Sequence, residues 1–333
     1  MAVWTLEKNK IDVMCKVSVI VPVYNVELYI EQCARSLFEQ SLEDIEIIFV
    51  NDCSPDRSIA VVKDLLLKYP HRASSVIFAE HERNKGLTSA RNTGLSLASG
   101  EYIIHCDSDD WMDTSMLQKM YNSAVREGAD IVYCDFYMYY KDREEQYHNL
   151  PAIPDRTSFI KKYLLELTVL WNFMAKKELY DNYNLKSPEH ITYCEDLHLA
   201  MRLYHYAGNV CKVDEPLYYY NRANVSSLLN KVSMKAMEDN IIALDEVAAF
   251  FMKEGVFVNF EKELAWRVLK VKQDLVLDKS THGKFLSILP WAHSHIISNP
   301  MINSKMKVMM WCLVHRMPWV TSAIVNLRSR LGR

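Results

Sequence analysis

The sequence predicts an α/β protein: a mostly parallel sheet with helices on both faces, followed by a mainly helical C-terminal region. Through the first 140 residues, β-branched apolar runs alternate with amphipathic helical stretches, the rhythm of βαβ units. The runs are almost continuously apolar, as strands covered on both faces require. At 333 residues and 50% apolar content, the chain can also bury more than one core.

The elements follow in order. Val17–Tyr24 (VSVIVPVY) is a strand by its β-branched content. Asn25 caps a helix over Glu27–Gln40, where Ile30, Cys33, Ala34, Leu37 and Phe38 recur at helical spacing. Ile45–Val50 is the second strand, and Pro55 opens a helix that runs to Tyr69. Val76–Ala79 is the third strand, and a helix over Thr88–Ala98 is stopped by Gly100. Glu101–Cys106 is the fourth strand, Thr114–Glu127 a helix ended by Gly128, and Ala129–Tyr140 the fifth strand. Lys141–Asp155 is polar, holds Pro151 and Pro154, and reads as a loop. Thr157–Tyr180 reads as largely helical, Thr192–Ala207 as a helix, Cys211–Tyr220 as extended, and the chain from about Ser233 as helical.

Net charge is −3, which excludes a strong overall field for nucleic acid. Its distribution is uneven. Residues 279–333 hold eight Lys or Arg and no acid, against 31 basic and 42 acidic residues before them. An acidic body with a basic tail points the tail at an anionic surface. Eight scattered cysteines with no C-x-x-C pair fit reduced thiols in a cytoplasmic protein. The N-terminus lacks a signal-type apolar stretch, and MCKVSVIVPVY reads as a start at Met14 behind a 13-residue prefix. No run of 18 apolar residues exists.

HCDSDDWMD, residues 105–113, crowds Asp107, Asp109, Asp110 and Asp113 directly after a buried strand. Either a cation neutralises these acids or they form a solvated turn, with Asp113 starting the next helix. Only eight glycines occur, with no G-x-G, so neither a dinucleotide fingerprint nor a phosphate-cradling loop is present. A divalent metal is the substitute for holding phosphate. Mg²⁺ or Mn²⁺ takes one or two carboxylates, with substrate phosphates and water completing the shell. Asp107 and Asp109 can supply them, with Asp110 as a ligand or an orienting neighbour. Asp52 lies after the second strand, and ligands of such sheets bind beyond the carboxyl ends of strands.

Taken in series, VSVIVPVYN, VNDCSPD and NKGLTSARNTGLSLASGEYIIHCDSDDWM resemble the nucleotide-sugar domain of glycosyltransferase family 2, the GT-A fold. The likeness covers residues 16–140, and YCEDLHLAMRLYHYAGNV with LYYYNR extends it to about residue 228. It implies a catalytic domain over 14–228, with a nucleotide-sugar half (14–140) and an acceptor half (141–228), before a helical region over 229–333. Pro22, Tyr24 and Asn25 would line the nucleotide pocket, Asp52 would accept from the uracil ring, and Arg91 would contact base or diphosphate. Asp107, Ser108 and Asp109 would form the D-x-D motif holding metal and diphosphate. Cys53 stands where the family carries glycine, which questions the turn geometry.

Each residue also has a plainer role. Tyr24 could cover the sheet edge, Asp52 and Asp56 could be turn residues around Pro55, Arg91 a solvated surface charge, and Lys85–Gly86 only a turn.

Transfer also needs a base for the acceptor hydroxyl. In TYCEDL, Thr192 and Glu195 have capping-box spacing, so Glu195 could simply close the helix start. Asp196 has no such duty and would be stabilised by the helix dipole. The resemblance makes Asp196 the base and Glu195 a support or acceptor contact. It also sets Trp171 near the acceptor pocket and Arg222 near the diphosphate, although a core tryptophan is the equal alternative for Trp171.

The segment 305–333 mixes Met, Trp, Leu and Val with basic residues, and Pro318 breaks it in two. It fits the headgroup region of an anionic bilayer, with Trp311 and Trp319 at the interface. A helix pair packed on the catalytic domain or a homodimer contact is the alternative.

The expected function is therefore inverting, metal-dependent transfer from a UDP-sugar to a glycan acceptor, lipid-linked, in cell-surface polysaccharide or lipopolysaccharide synthesis. It would act in the cytoplasm or at the inner face of the membrane. Two alternatives stand beside it: a non-catalytic nucleotide-sugar-binding subunit, and a sugar-phosphate nucleotidyltransferase. The latter lacks its glycine- and lysine-rich loop in VPVYNVELYIE.

Overall fold

The computed structural model describes residues 2–5, 15–141, 143–147, 155–166, 169–224 and 234–320. The chain divides into two compact units, Met1–Phe159 with Thr168–Lys231, and Ile160–Leu167 with Val232–Arg333. Residues 160–167, assigned from sequence to the first domain, thus belong to the second unit.

The first unit is built on one sheet. Its strands in chain order are β1 (Ala2–Thr5), β2 (Val17–Val23), β3 (Ile45–Asn51), β4 (Val76–Glu80), β5 (Tyr102–His105), β6 (Trp111–Met112), β7 (Ile131–Tyr140), β8 (Arg143–Tyr147), β9 (Phe173–Lys176) and β10 (Val210–Asn221). They lie in the order β1-β4-β3-β2-β5-β9-β7-β10-β6, with β8 paired to β7. All seven residues of β2 are buried, which explains its unbroken apolar run.

Pro22 is tolerated in this central strand for a local reason. The β2–β5 register ends at Ile20–His105, and Cys106 N–H donates to the Ile20 carbonyl. The peptide two residues on faces the same side, where β5 has already ended and no N–H is needed. Gly100 is required where the chain enters β5: a Cβ there would lie 2.6 Å from the Ser18 nitrogen. Its N–H donates to Ser18 Oγ at 2.8 Å.

From β2 the chain steps outward to β3 and β4, then returns to place β5 on the other side of β2. Beyond the carboxyl ends of β2 and β5 the order reverses, and that is where such sheets bind ligands. The acids after β3 and after β5 therefore flank one crevice.

Several expectations need correction. The sheet is mixed, not mostly parallel: β2–β3, β2–β5, β3–β4 and β7–β10 are parallel, while β1–β4, β5–β9, β7–β9, β7–β8 and β6–β10 are antiparallel. Within the stretch expected as helix, only α5 (Arg156–Leu165) and α6 (Lys177–Asn182) are helical among the described residues. Between them β9 fills the slot between β5 and β7 and buries Phe173, Met174 and Ala175. Tertiary placement overrides local propensity there. In the expected loop, β8 forms a hairpin on β7, while residues 142 and 148–154 lie outside the described residues. Residues 2–5 of the supposed prefix pair with β4.

Helix starts also shift. α1 spans Ile30–Phe38, and Asn25 does not cap it: Asn25 takes φ 54° and its N–H donates to Ser54 Oγ. α2 spans Ser58–Leu66, and Asp56 accepts from the Ser58 N–H at 3.1 Å. The remaining helices of this unit are α3 (Leu87–Leu97), α4 (Met116–Glu127) and α7 (Glu195–Tyr206).

The second unit is helical: the greater part of α5, then α8 (Met234–Lys253), α9 (Glu261–Val271), α10 (His282–Ser287) and α11 (Ser304–Val314), with 3₁₀ turns between the last four. Leu244, Val247, Phe251, Leu264, Val268 and Phe285 are fully buried and form its core. No helix among the described residues is long and apolar enough to cross a membrane.

Candidate active site

The β3 end forms a clamp. Asp52 is buried, and its Oδ1 accepts from the Lys85 N–H (2.8 Å) and pairs with His81 Nδ1 (2.7 Å). Its Oδ2 accepts from the Gly86 N–H at 2.8 Å. Lys85–Gly86 is therefore more than a turn, and Gly86 is needed there because φ is 90°. Cys53, in place of the family's glycine, takes the left-handed φ of 57° that glycine would supply, so the turn survives the replacement. Tyr24 and Asn25 stand exposed at the end of β2, above the buried Pro22.

Arg91 organises the crevice. Far from being a solvated surface charge, it is 2% exposed. Its Nη1 donates to Glu195 Oε1 (2.7 Å) and Asp196 Oδ1 (2.5 Å), and its Nη2 donates to Asp107 Oδ1 (2.9 Å). One guanidinium on α3 thus links the acid after β5 to the two acids opening α7. Burial alone would pull the Arg91 pKa down, but Asp196, Asp107 and Glu195 more than reverse this and raise it. Burial, then Asp196 beside it, pushes Glu195 up to about 8 against the pull of Arg91. Burial also raises Asp196, opposed by Arg91 and reinforced by Asp107.

The capping-box reading of Glu195 fails. The residue before α7 is Cys194 at φ 68°, with no side-chain cap bond, and the Glu195 carboxylate turns to Arg91.

The D-S-D-D turn is held from the far side by β10. Asp110 is fully buried, accepting from Tyr218 Oη at 2.9 Å and from the Asn221 N–H at 2.7 Å. Burial, then Asp109 and Asp107, raise its pKa well above the carboxylate range. With each oxygen accepting a hydrogen bond from β10, Asp110 takes the orienting role, one of the two expected of it. Asn224 Nδ2 donates to Asp109 Oδ2 at 2.7 Å, and Asn221 Nδ2 to the Asp109 carbonyl at 3.0 Å. Burial and Asp107 raise Asp109. Ser108 is buried within the turn, and Asp113 accepts from the Ser115 N–H at the start of α4.

No cluster of three or more His, Cys, Asp or Glu side chains able to hold a metal exists among the described residues. The residues present nevertheless fit a divalent cation bound in another way. Asp107, with 27% of its side chain exposed, and Asp109 are hard oxygen donors two residues apart on one turn, in a site with surplus negative charge. Mg²⁺ or Mn²⁺ held by one or two carboxylates needs no closed protein cage.

A cavity of about 590 Å³ opens beside Asp109, with Tyr29, Gln32, Trp111, Tyr139 and Asn221 in its wall. Trp111 is fixed by stacking on Tyr219, with ring centroids 5.3 Å apart.

Two acceptor-side expectations fare differently. Trp171 is a core residue, stacked on Tyr218 at 4.3 Å and edge-on to Phe136 at 4.8 Å, and is withdrawn from the acceptor pocket. Its packing supports the tyrosine that holds Asp110. Arg222 is exposed, and its Nη1 donates to Tyr220 Oη at 3.1 Å. Tyr218 and Asn221 lie in the LYYYNR segment that carries the resemblance, whereas Asn224 and His81 were not singled out from sequence. For Asn224 the available signal was its place just beyond that tyrosine-rich strand.

The sequence model described as "Glycosyl transferase family 2" matches residues 18–194. EpsJ of Bacillus subtilis, described as an uncharacterized glycosyltransferase, is 36% identical over 233 residues, covering 68% of this chain and 66% of EpsJ. GgaB of the same organism, described as a minor teichoic acid biosynthesis protein, is 27% identical over 304 residues, 86% of this chain and 33% of GgaB. The chain therefore spans about two thirds of the first relative and one third of the second. Among solved structures, S. aureus TarS 1–349 in complex with UDP-GlcNAc superposes with a TM-score of 0.73 at 20% identity, covering 96% of this chain and 92% of that one. At that identity the likeness establishes the fold, GT-A.

Proposed function

The chain belongs to glycosyltransferase family 2, and from that premise we propose that it is an inverting transferase moving a sugar from a UDP-sugar to a hydroxyl of a glycan acceptor. The observation that carries this reading is the Arg91 bridge, which joins the D-x-D acid Asp107 to Asp196, the acid proposed as base. Donor and acceptor chemistry would then meet within the reach of one guanidinium.

In this reading Asp52 and the β2 end, Pro22, Tyr24 and Asn25, bind the uridine, while Arg91 contributes at the diphosphate and Arg222 approaches it from β10. Asp107 and Asp109 would hold the cation. A divalent ion there supplies positive charge against the charge building on the departing diphosphate. Asp196 takes the proton of the acceptor hydroxyl as its oxygen bonds to the anomeric carbon and the bond to the diphosphate oxygen breaks. Arg91 fixes the orientation of Asp196, and burial raises its basicity. Glu195 lies beside it as an acceptor contact. A single in-line displacement inverts the anomeric centre.

GgaB's description as a teichoic acid biosynthesis protein supports a cell-surface polymer as the product class, and a lipid-linked acceptor is proposed with it. UDP-sugars are made in the cytoplasm, so the reaction is placed there.

The test is UDP release from a panel of UDP-sugars with Mn²⁺ and lipid-linked glycan acceptors, followed by NMR of the product's anomeric proton. Acceptor-dependent UDP release and an inverted product are expected. Retention of configuration would overturn the mechanism. UDP-sugar binding without turnover under any donor–acceptor pair would favour the binding-subunit alternative.

A further inference from the structure

Helix α11 has two unlike faces. Met309, Met310, Cys312 and Leu313 are buried. On the other side Val308 is 48% and Trp311 39% exposed, and the His315 ring stacks on Trp311 with centroids 4.0 Å apart. Asn303 caps the helix by accepting from the Met306 N–H.

The helix ends in a Schellman turn: Arg316 takes φ 59° and the Met317 N–H donates to the Cys312 carbonyl at 2.8 Å. Pro318 follows, and Trp319 is 70% exposed. Lys307 Nζ donates to the Ile297 carbonyl at 3.1 Å, which brings Ile297, itself 62% exposed, alongside the helix.

Four large apolar side chains thus face solvent on one part of the second unit. Lys305, Lys307 and Arg316 accompany them, and no acid occurs anywhere in residues 279–320. Scattered single exposed residues need no explanation, but a group of this kind marks an interaction surface.

We propose that this surface docks the protein on an anionic lipid bilayer. Trp311, Trp319, Val308 and Ile297 would enter the headgroup boundary, and Lys305 and Arg316 would meet lipid phosphates. Charge decides the occupant. A second copy docking through the same face would set basic residues against basic residues, whereas an anionic leaflet complements them. Tryptophan also prefers a boundary with one apolar and one wet side.

The full chain is tested by flotation with vesicles containing phosphatidylglycerol and, in parallel, with vesicles of phosphatidylcholine alone. Binding to the anionic vesicles is expected, weakened by salt and at least about ten-fold weaker on neutral lipid. Trp311→Ser with Trp319→Ser, and separately Lys305→Glu with Arg316→Glu, should each reduce binding about ten-fold or more. All four residues lie at the surface, and unchanged thermal unfolding checks that the fold is kept. Failure of the parent chain to float with anionic vesicles, or variants that float as well as it does, would overturn the proposal. Self-association that the tryptophan changes abolish, without vesicle binding, would reassign the face to a second copy. No donor sugar enters the measurement, so its outcome is independent of the proposed reaction.

Discussion

Replacing Arg91 by methionine removes the one cation that Glu195, Asp196 and Asp107 share, at 2.7, 2.5 and 2.9 Å. Stranding a buried charge costs about 3–5 kcal/mol. Three stranded charges do not triple this, because acids left unpaired take up protons instead. Glu195, already pushed up to about 8, takes up its proton most readily. The loss should therefore be about 3–5 kcal/mol near pH 7, set by Asp196 and Asp107.

The pH dependence has a definite sign. In the variant the folded-state pKa values of Glu195 and Asp196, already raised, rise further above their unfolded values. Between the two values the native state binds more protons than the unfolded one, so stability falls as pH rises. The deficit relative to the parent chain should be larger at pH 8 than at pH 5. Urea unfolding followed by tryptophan fluorescence at both pH values measures it. A variant within about 1 kcal/mol of the parent at pH 8, or a deficit that grows toward acid, would refute the electrostatic account of the bridge.

The other predictions concern single roles. Asp196→Asn should lower acceptor-dependent kcat/KM by about 10²–10⁴-fold with UDP binding retained, measured by UDP release and calorimetry. Because burial raises Asp196, activity of the parent chain should decline on acidification at higher pH than an ordinary aspartate would give, in a kcat/KM profile. Asp107→Asn or Asp109→Asn should abolish the thermal stabilisation by Mn²⁺ with UDP, worth about 2.7 kcal/mol at a hundred-fold excess over Kd. Trp171→Ala should cost about 3–5 kcal/mol in unfolding experiments, as a core aromatic does, and should not act through the acceptor KM alone.

What was legible in the sequence was whatever local pattern determines. The β2, β3, β4 and β5 runs are apolar because both faces are covered, so their positions could be read within a residue or two. The acids at 107–109 and 195–196 were legible because carboxylates at a strand end and a helix start need a reason. The antiparallel insertion of β9 was not legible: FMAK becomes a strand only because β5 and β7 leave a slot for it. Nor was the burial of Arg91, which sits on a helix among Ser89, Asn92 and Thr93 and looks solvated until Asp107, Glu195 and Asp196 converge on it. Asp110 and Trp171 carried both a functional and a structural reading, and only the hydrogen bonds to Tyr218 and Asn221 and the Trp171–Tyr218 stack decided between them.

The charge count of the assembled site explains why the acids are crowded. Asp107, Glu195 and Asp196 share a single guanidinium, and Asp109 and Asp110 crowd the same turn as Asp107. Burial raises Asp110 and Glu195, so these two carry their charge least readily, and the acids of the site still outnumber its one guanidinium. That surplus of negative charge suits a divalent cation, and Asp107 and Asp109 are the acids placed to receive it. A nucleoside diphosphate arriving without a cation would add anions to an already anionic crevice and be repelled. Arriving with one, it would find the residual charge balanced and the base already oriented. Donor affinity should therefore depend steeply on divalent metal, and calorimetric titration of UDP with and without Mn²⁺ measures that dependence. Equal UDP affinity in both titrations would mean that the surplus charge is not what selects the donor.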